Sequence, residues 1–242
     1  MLLAAGALHS PRLLQDYLTQ TGLAERLPNS RLVGRYYKHH LLTAVLAFSP
    51  GRKHDLLRKT LLLLNTHLPH SSVQPLGFDG ELMATLLPRL TPRWLARALG
   101  ERAYGFFLQT EDGSDERNRV IARANGASSP QLDYASTRLP TALTEHRQLV
   151  RALQRALLGA GCLAAANSVP LSGTAHACGT LVTGNDPSAS VVDAYGRVHE
   201  MDNLYVVDGS VLPRSSRVNP SLTIYAWALR TATHLTAERL ST

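Results

Sequence analysis

Cysteine is nearly absent. Two in 242 residues, Cys162 and Cys178 with no C-x-x-C pair, exclude a disulfide framework and a cysteine-built zinc site. Aromatic residues are only 6% of the chain, and no basic run is interleaved with them as nucleic-acid modules require. No apolar run approaches the ~18–20 residues of a membrane-spanning helix, so membrane contact is not expected. The apolar start, Met1 to Leu8, lacks a basic leader region and a cleavage site and does not read as a signal peptide. No G-x-S-x-G elbow occurs, which argues against a serine hydrolase. No G-x-G-x-x-G turn occurs either, so the phosphate-cradling element of a dinucleotide fold is missing from this chain.

What is present is globular. Hydrophobic residues make up 44% and charged residues 18%, enough to bury a real core. Twenty-five Lys and Arg against 18 Asp and Glu give a net charge of +7. The basic residues are dispersed, which reads as a solvated basic surface and not as a nucleic-acid site.

The pattern along the chain changes several times. Met1 to Leu8 reads as a buried parallel strand, followed by a helix capped by Ser10 with Pro11 at its first position and Gly22 as its stop. A buried strand needs neighbours on both sides, and nothing precedes this one, so the chain is expected to start within a sheet. Arg31 to Phe48 reads as extended, with a basic aromatic stretch from Arg35 to His40. Gly51 to Gly100 reads as helical, from Leu56, Leu57, Leu61 and Leu64 and then from the Thr91-Pro92 start signal. Arg89, Arg93 and Arg97 would share one solvated helix face. Tyr104 to Gln109, Arg119 to Arg123 and Gln131 to Tyr134 read as short antiparallel strands, separated by Asp112-Gly113 and Asn125-Gly126 turns. Leu149, Leu153 and Leu157, four apart, mark a helix from Thr141 to Leu158. The strand Leu204 to Val207 then ends in Asp208-Gly209, and a helix opens at Asn219-Pro220.

Three features of this last part carry chemistry. His176 lies beside Gly179-Thr180 in irregular sequence, where an imidazole titrating near neutrality can move protons. Nine other histidines, His40 among them, compete for that role. Asn219-Pro220 is either a simple helix cap or a helix N-terminus aimed at negative charge. Asp208-Gly209 is either a turn or a carboxylate with a glycine that lets a ligand approach.

The run His176-Ala177-Cys178-Gly179-Thr180, then Ser190 to Asp193, Gly196-Arg197-Val198, Asn203 to Ser210 and Val218 to Ile224, resembles the C-terminal signature of the glucose-methanol-choline (GMC) oxidoreductases. Ala4 to Leu14 resembles that family's second signature, and Gly34-Arg35 with His40 its glycine-arginine element. Between Gly51 and Leu171 the motifs match only weakly, around Asn118-Arg119-Val120. Departures are Ala177 where the family usually has proline, Val182-Thr183 where it often has Arg-Met, and Glu200 where it usually has glycine.

The resemblance implies FAD as cofactor and a small-molecule alcohol as substrate, with hydride transfer to the flavin. It implies His176 as the proton acceptor and Asn219 as the residue orienting the same oxygen. It implies cofactor contacts from Ala5, Gly6, Asp208, Gly209, Asn219, Pro220 and Leu222, with the helix after Pro220 directed at the flavin's pyrimidine edge. The expected fold is α+β: residues 22–168 form a substrate-binding region with an antiparallel sheet and helices, and residues 1–21 and 169–242 are fragments of an FAD-binding α/β domain. Without the dinucleotide turn the chain is expected to need a separate FAD-domain chain; the alternative is an inactive fragment or a non-enzymatic partner-binding subunit.

Overall fold

The computed structural model describes residues 1–51, 61–77, 91–122, 129–173 and 176–240. In chain order the elements begin with β1 (Leu2–Leu3), α1 (Gly6–Gln20), β2 (His40–Phe48), β3 (Leu63–Asn65), β4 (Leu68–Leu76), α2 (Arg93–Gly100) and β5 (Ala103–Glu111). They continue with β6 (Arg119–Ile121), β7 (Gln131–Asp133), α3 (Pro140–Gly159), β8 (Leu163–Ser168), β9 (Tyr205–Val206) and α4 (Ser221–Leu240). Helix and antiparallel sheet are thus mixed, as expected. The chain forms two compact units, one from Met1–His40, Asp112–Pro140 and Ala175–Thr242, the other from Leu41–Glu111 and Thr141–Thr174.

The second unit is built on a five-stranded sheet in the order β3-β4-β5-β2-β8, in which β3–β4, β4–β5 and β2–β8 pair antiparallel. Helix α3 closes its core: Leu149 is buried, and Leu153 and Leu157 pack beside it against Val45, Ala47, Phe106 and Leu108. The four-residue spacing read in the sequence is the buried stripe of that helix. The helical reading of Gly51 to Gly100 holds for α2 but not for Leu61 and Leu64: Leu64 lies in β3, and Leu61 lies in irregular backbone just before it. Two prolines, Pro69 and Pro75, hid β4, because proline cannot donate to a sheet ladder. The hairpin is turned by Asn65, whose Oδ1 accepts from the His67 amide at 2.8 Å. Leu56, Leu57, Arg89 and the Asn125-Gly126 turn lie outside the described residues.

In the first unit β1 runs parallel to β9, with Leu2 opposite Tyr205 and Leu3 opposite Val206. Around them Leu14, Leu18, Leu181, Val191, Val206 and Val211 form the core. Among the described residues strands β6 and β7 form a two-stranded sheet of their own, so the three short strands read from Tyr104 to Tyr134 belong to two sheets.

The opening strand is shorter than its apolar run suggested, and α1 starts at Gly6, before Ser10 and Pro11. Helix α1 can start there because its first donors are satisfied: Ala5 donates to Ser10 Oγ at 3.0 Å and Gly6 to Asp208 Oδ2 at 2.9 Å. Pro11 then sits inside the helix, where its missing N–H would have paired with the carbonyl of Ala7. The buried Thr180 hydroxyl donates to that carbonyl instead, at 2.8 Å. Thr180→Val therefore orphans a buried acceptor and is expected to cost about 1–3 kcal/mol, read as a lowered urea midpoint with unchanged slope.

Candidate functional site

Parallel pairing brings the C-terminal ends of β1 and β9 side by side, which is where α/β sheets present ligands. Ala5-Gly6 follows one strand and Asp208-Gly209 the other. The Asp208 carboxylate ties them together. Its Oδ2 accepts from the Gly6 amide and, at 2.5 Å, from Ser10 Oγ; its Oδ1 accepts from the Ser210 amide at 2.9 Å and from Ser210 Oγ at 2.5 Å. Both carboxylate oxygens are thus committed within the protein. Any cofactor contact at this turn falls to its backbone.

Gly6 has φ +75° and nothing of the chain within 4 Å of where a side chain would start, so the strand end is open there. Ala5 beside it is exposed. Gly209 differs: a side chain there would stand 3.0 Å from Ile224 Cδ1 and 3.4 Å from the Ala177 carbonyl. That glycine lets the His176-Ala177 loop and the first turn of α4 close on the strand end.

His176 is held by an antiparallel register. Lys38 and Cys178 exchange both backbone hydrogen bonds, at 2.9 and 3.0 Å. Two residues farther along each strand the same register sets His40 opposite His176, on the same face. Their Nδ1 atoms lie 2.9 Å apart with the rings edge to face, and His40 Nε2 is 2.7 Å from the Ser216 carbonyl. His40 is buried, and His176 is half-buried with φ +70°. A non-glycine residue in that backbone region carries strain that only a well-determined surrounding sustains. Gly179 supplies part of it: at φ +87°, a side chain there would run into the Tyr36 carbonyl. Burial, and secondarily the neighbouring His40, hold the His176 pKa below its ordinary value, so the ring is neutral at pH 7.

Helix α4 begins at Ser221, one residue later than read from the sequence. Pro220 accepts its first helical bond, from Ile224 at 3.0 Å, and so is the cap residue itself. Leu222 is 80% exposed, and the first amides of this turn have no acceptor within the helix. Asn219, also exposed, stands between Ser216 and Pro220 on the loop that His40 reaches. Direct contacts therefore join Gly6 to Asp208, Gly209 to the loop after His176, and His176 through His40 to the loop that carries Asn219. Glu200 adopts φ +62°, the backbone region that glycine takes freely.

Sequence reasoning missed the groups behind this site. Asp112 is fully buried; its Oδ2 accepts from the His39 amide at 3.1 Å and from Tyr134 Oη at 3.4 Å, and its Oδ1 has no partner among the described residues. Tyr134 stacks edge-on to His39 and Tyr37. Burial pushes the Asp112 carboxyl up to about 8 and the Tyr37 phenol up to about 12, and pushes His39 down to about 4. Backbone bonds from Tyr37 to the Asn118 carbonyl and from Val120 to the Gly34 carbonyl lay these distant segments side by side and make them neighbours. The Asp112-Gly113 turn signal was the one hint.

A pH dependence follows. From about pH 4 to 8 the folded chain holds a proton on Asp112 that the unfolded chain has released, so this group's contribution falls as pH rises. His39 and His146, both lowered to about 4, act oppositely, but only up to the ordinary histidine value of 6.5. Between pH 6.5 and 8 Asp112 acts without them. Asp112→Asn should remove a fall in Tm over that interval that the unchanged chain shows.

Among the described residues no group of three or more His, Cys, Asp or Glu is placed to hold a metal, and no helix is long and apolar enough to cross a membrane.

Residues 114–228 match the family model described as GMC oxidoreductase. The match reaches back to 114, well into the stretch where motifs alone were weak. The chain is 41% identical over 121 residues to 6'''-hydroxyparomomycin C oxidase of Streptomyces lividus, covering 48% of this chain and 22% of that protein. It is 36% identical over 129 residues to paromamine 6'-oxidase of Streptomyces fradiae, covering 52% and 24%. A cholesterol oxidase of Mycobacterium tuberculosis is 48% identical over 65 residues, 27% of this chain and 11% of that protein. Among solved structures, pyridoxine 4-oxidase from Mesorbium loti has a TM-score of 0.60 at 22% identity, covering 96% of this chain and 50% of the other. A variant of Aspergillus oryzae RIB40 formate oxidase, made to study FAD modification, has a TM-score of 0.66 at 18% identity, covering 99% and 54%. The matched stretches thus span about half of these structures and a quarter or less of the curated relatives.

Proposed function

This chain belongs to the GMC oxidoreductase family, and on that premise we propose that it supplies the substrate-side half of an FAD-dependent enzyme that oxidises a CH–OH group. The observation that carries the reading is His176: a neutral imidazole on a strained backbone, locked against His40, whose neighbour Ala177 closes on Gly209 together with Ile224 of α4. When bound, FAD would supply the acceptor for the hydride of the alcohol carbon.

This chain's residues do the rest. His176 accepts the hydroxyl proton, which builds negative charge on the substrate oxygen and promotes hydride departure. Asn219 orients that oxygen by a hydrogen bond. The N-terminus of α4, from Pro220 through Leu222, would favour negative charge on a group held beside it. Open space at Gly6 and the exposed Ala5 and Leu222 fit one end of the cofactor. On this reading residues 1–21 and 169–242 are pieces of an FAD-binding α/β domain, and 22–168 line the substrate. The dinucleotide turn must come from a partner segment, because its G-x-G-x-x-G is not in this sequence. The relatives make an aminoglycoside hydroxyl the first alcohol to try, ahead of a sterol, since their matches cover about half of the chain.

Absorbance in the flavin bands tests the division of labour. The purified chain should hold little FAD alone and become yellow when joined to the dinucleotide-binding half of a relative. The joined protein should bleach with paromamine under anaerobic conditions. Stoichiometric tight FAD in the lone chain would refute the need for a partner. A loaded protein that no alcohol reduces would refute the oxidoreductase reading.

A further inference from the structure

We infer that His40 is a positioning residue that fixes the tautomer of His176, with the proton on Nδ1 and the lone pair on Nε2. The argument needs only donors and acceptors. The Ser216 carbonyl can only accept, so His40 Nε2, 2.7 Å away, carries a hydrogen. Burial disfavours a second proton on His40, and a neutral imidazole has one N–H, so its Nδ1 carries no hydrogen. It lies 2.9 Å from His176 Nδ1, and a hydrogen bond at that distance needs one hydrogen between the two nitrogens. That hydrogen belongs to His176. Its Nε2 is then an unprotonated acceptor.

Several features make the assignment stable. His40 is buried, so water does not compete for its nitrogens. The Lys38–Cys178 backbone pair fixes the strands that carry both rings. The neighbouring His39 ring turns back on the His40 carbonyl, 2.6 Å from its Nδ1, which holds the His40 backbone in place. Free neutral histidine prefers the opposite tautomer, with hydrogen on Nε2. Without His40, the nitrogen of His176 not facing it would mostly carry a proton and could not accept one. The meaning of the bare Nε2 for catalysis rests on the function proposed above. The tautomer itself does not.

The test is nitrogen-15 NMR of the 242-residue chain labelled at histidine, at pH 7.5, where two-bond couplings to the ring protons report which nitrogen bears hydrogen. The expected result is Nδ1–H for His176 and Nε2–H for His40. In His40→Phe the His176 ring should shift to mostly Nε2–H. In His40→Asn, whose amide oxygen can take the place of the bare Nδ1, the Nδ1–H form should return. An Nε2–H signal for His176 in the unchanged chain overturns the inference, and that measurement stands even if a variant does not fold. Nδ1–H persisting in a folded His40→Phe chain overturns it equally. If the tautomers are as stated but the joined enzyme proves indifferent to His176, the function reading fails and the tautomer assignment survives.

Discussion

Replacing His176 by alanine should lower kcat for alcohol oxidation by ~10²–10⁴-fold in the chain joined to a dinucleotide-binding half, the usual worth of a general base. Stopped-flow bleaching of the flavin under anaerobic conditions isolates the step concerned. The substitution keeps the β-carbon, and with it the backbone strain at φ +70°. What it removes is one half-buried hydrogen bond to His40, worth about 0.5–1.5 kcal/mol. FAD content should therefore stay near that of the parent, which separates a chemical effect from a folding one. An unchanged reduction rate would take His176 out of the mechanism, whatever its geometry.

The same residue shows how far sequence alone could reach. His176 stood out because it lies in irregular sequence beside small residues and within a recognisable signature. His40 was legible only as one of nine competing histidines and as part of a second, looser resemblance. The pairing depends on an antiparallel register between 34–40 and 176–180, segments far apart in the chain. No local propensity specifies a register that distant. Local signals succeeded where one physical cause dominated. The spacing of Leu149, Leu153 and Leu157 gave α3, and the β-branched run before Asp208 gave β9. They failed where tertiary partners supplied what the local sequence lacked. Pro11 marks a helix start by itself, yet it sits inside α1 because Thr180 takes over its missing hydrogen bond. Pro75 argues against a strand by itself, yet β4 forms through its neighbours, with Pro75 opposite Phe106. The buried Asp112 is the extreme case, since acidic-glycine turns normally lie in solvent.

Asp208 separates two readings of a motif residue, and its substitution carries the largest stability effect expected here. Asp208→Ala leaves the Gly6 amide, the Ser10 hydroxyl and both Ser210 donors without their acceptor, in a place where Ser10 and Ser210 are fully buried. Buried donors that lose an acceptor cost about 1–3 kcal/mol each before relaxation, so a total of about 3–5 kcal/mol is expected. Asp208→Asn keeps one accepting oxygen and should lose roughly half as much. Urea unfolding of the cofactor-free chain is the decisive measurement, because no flavin is present to confound it. A residue whose role was only to touch a cofactor would leave that midpoint where it was. A residue that staples the end of β9 to the start of α1 must lower it. It should also free Gly6 and Ala5 from the geometry that opens the strand end, so FAD uptake by the joined protein should fall with the midpoint. A lost midpoint with intact flavin uptake would mean that the strand ends find their places without the carboxylate. The bed proposed for the cofactor would then rest on the β1–β9 pairing alone.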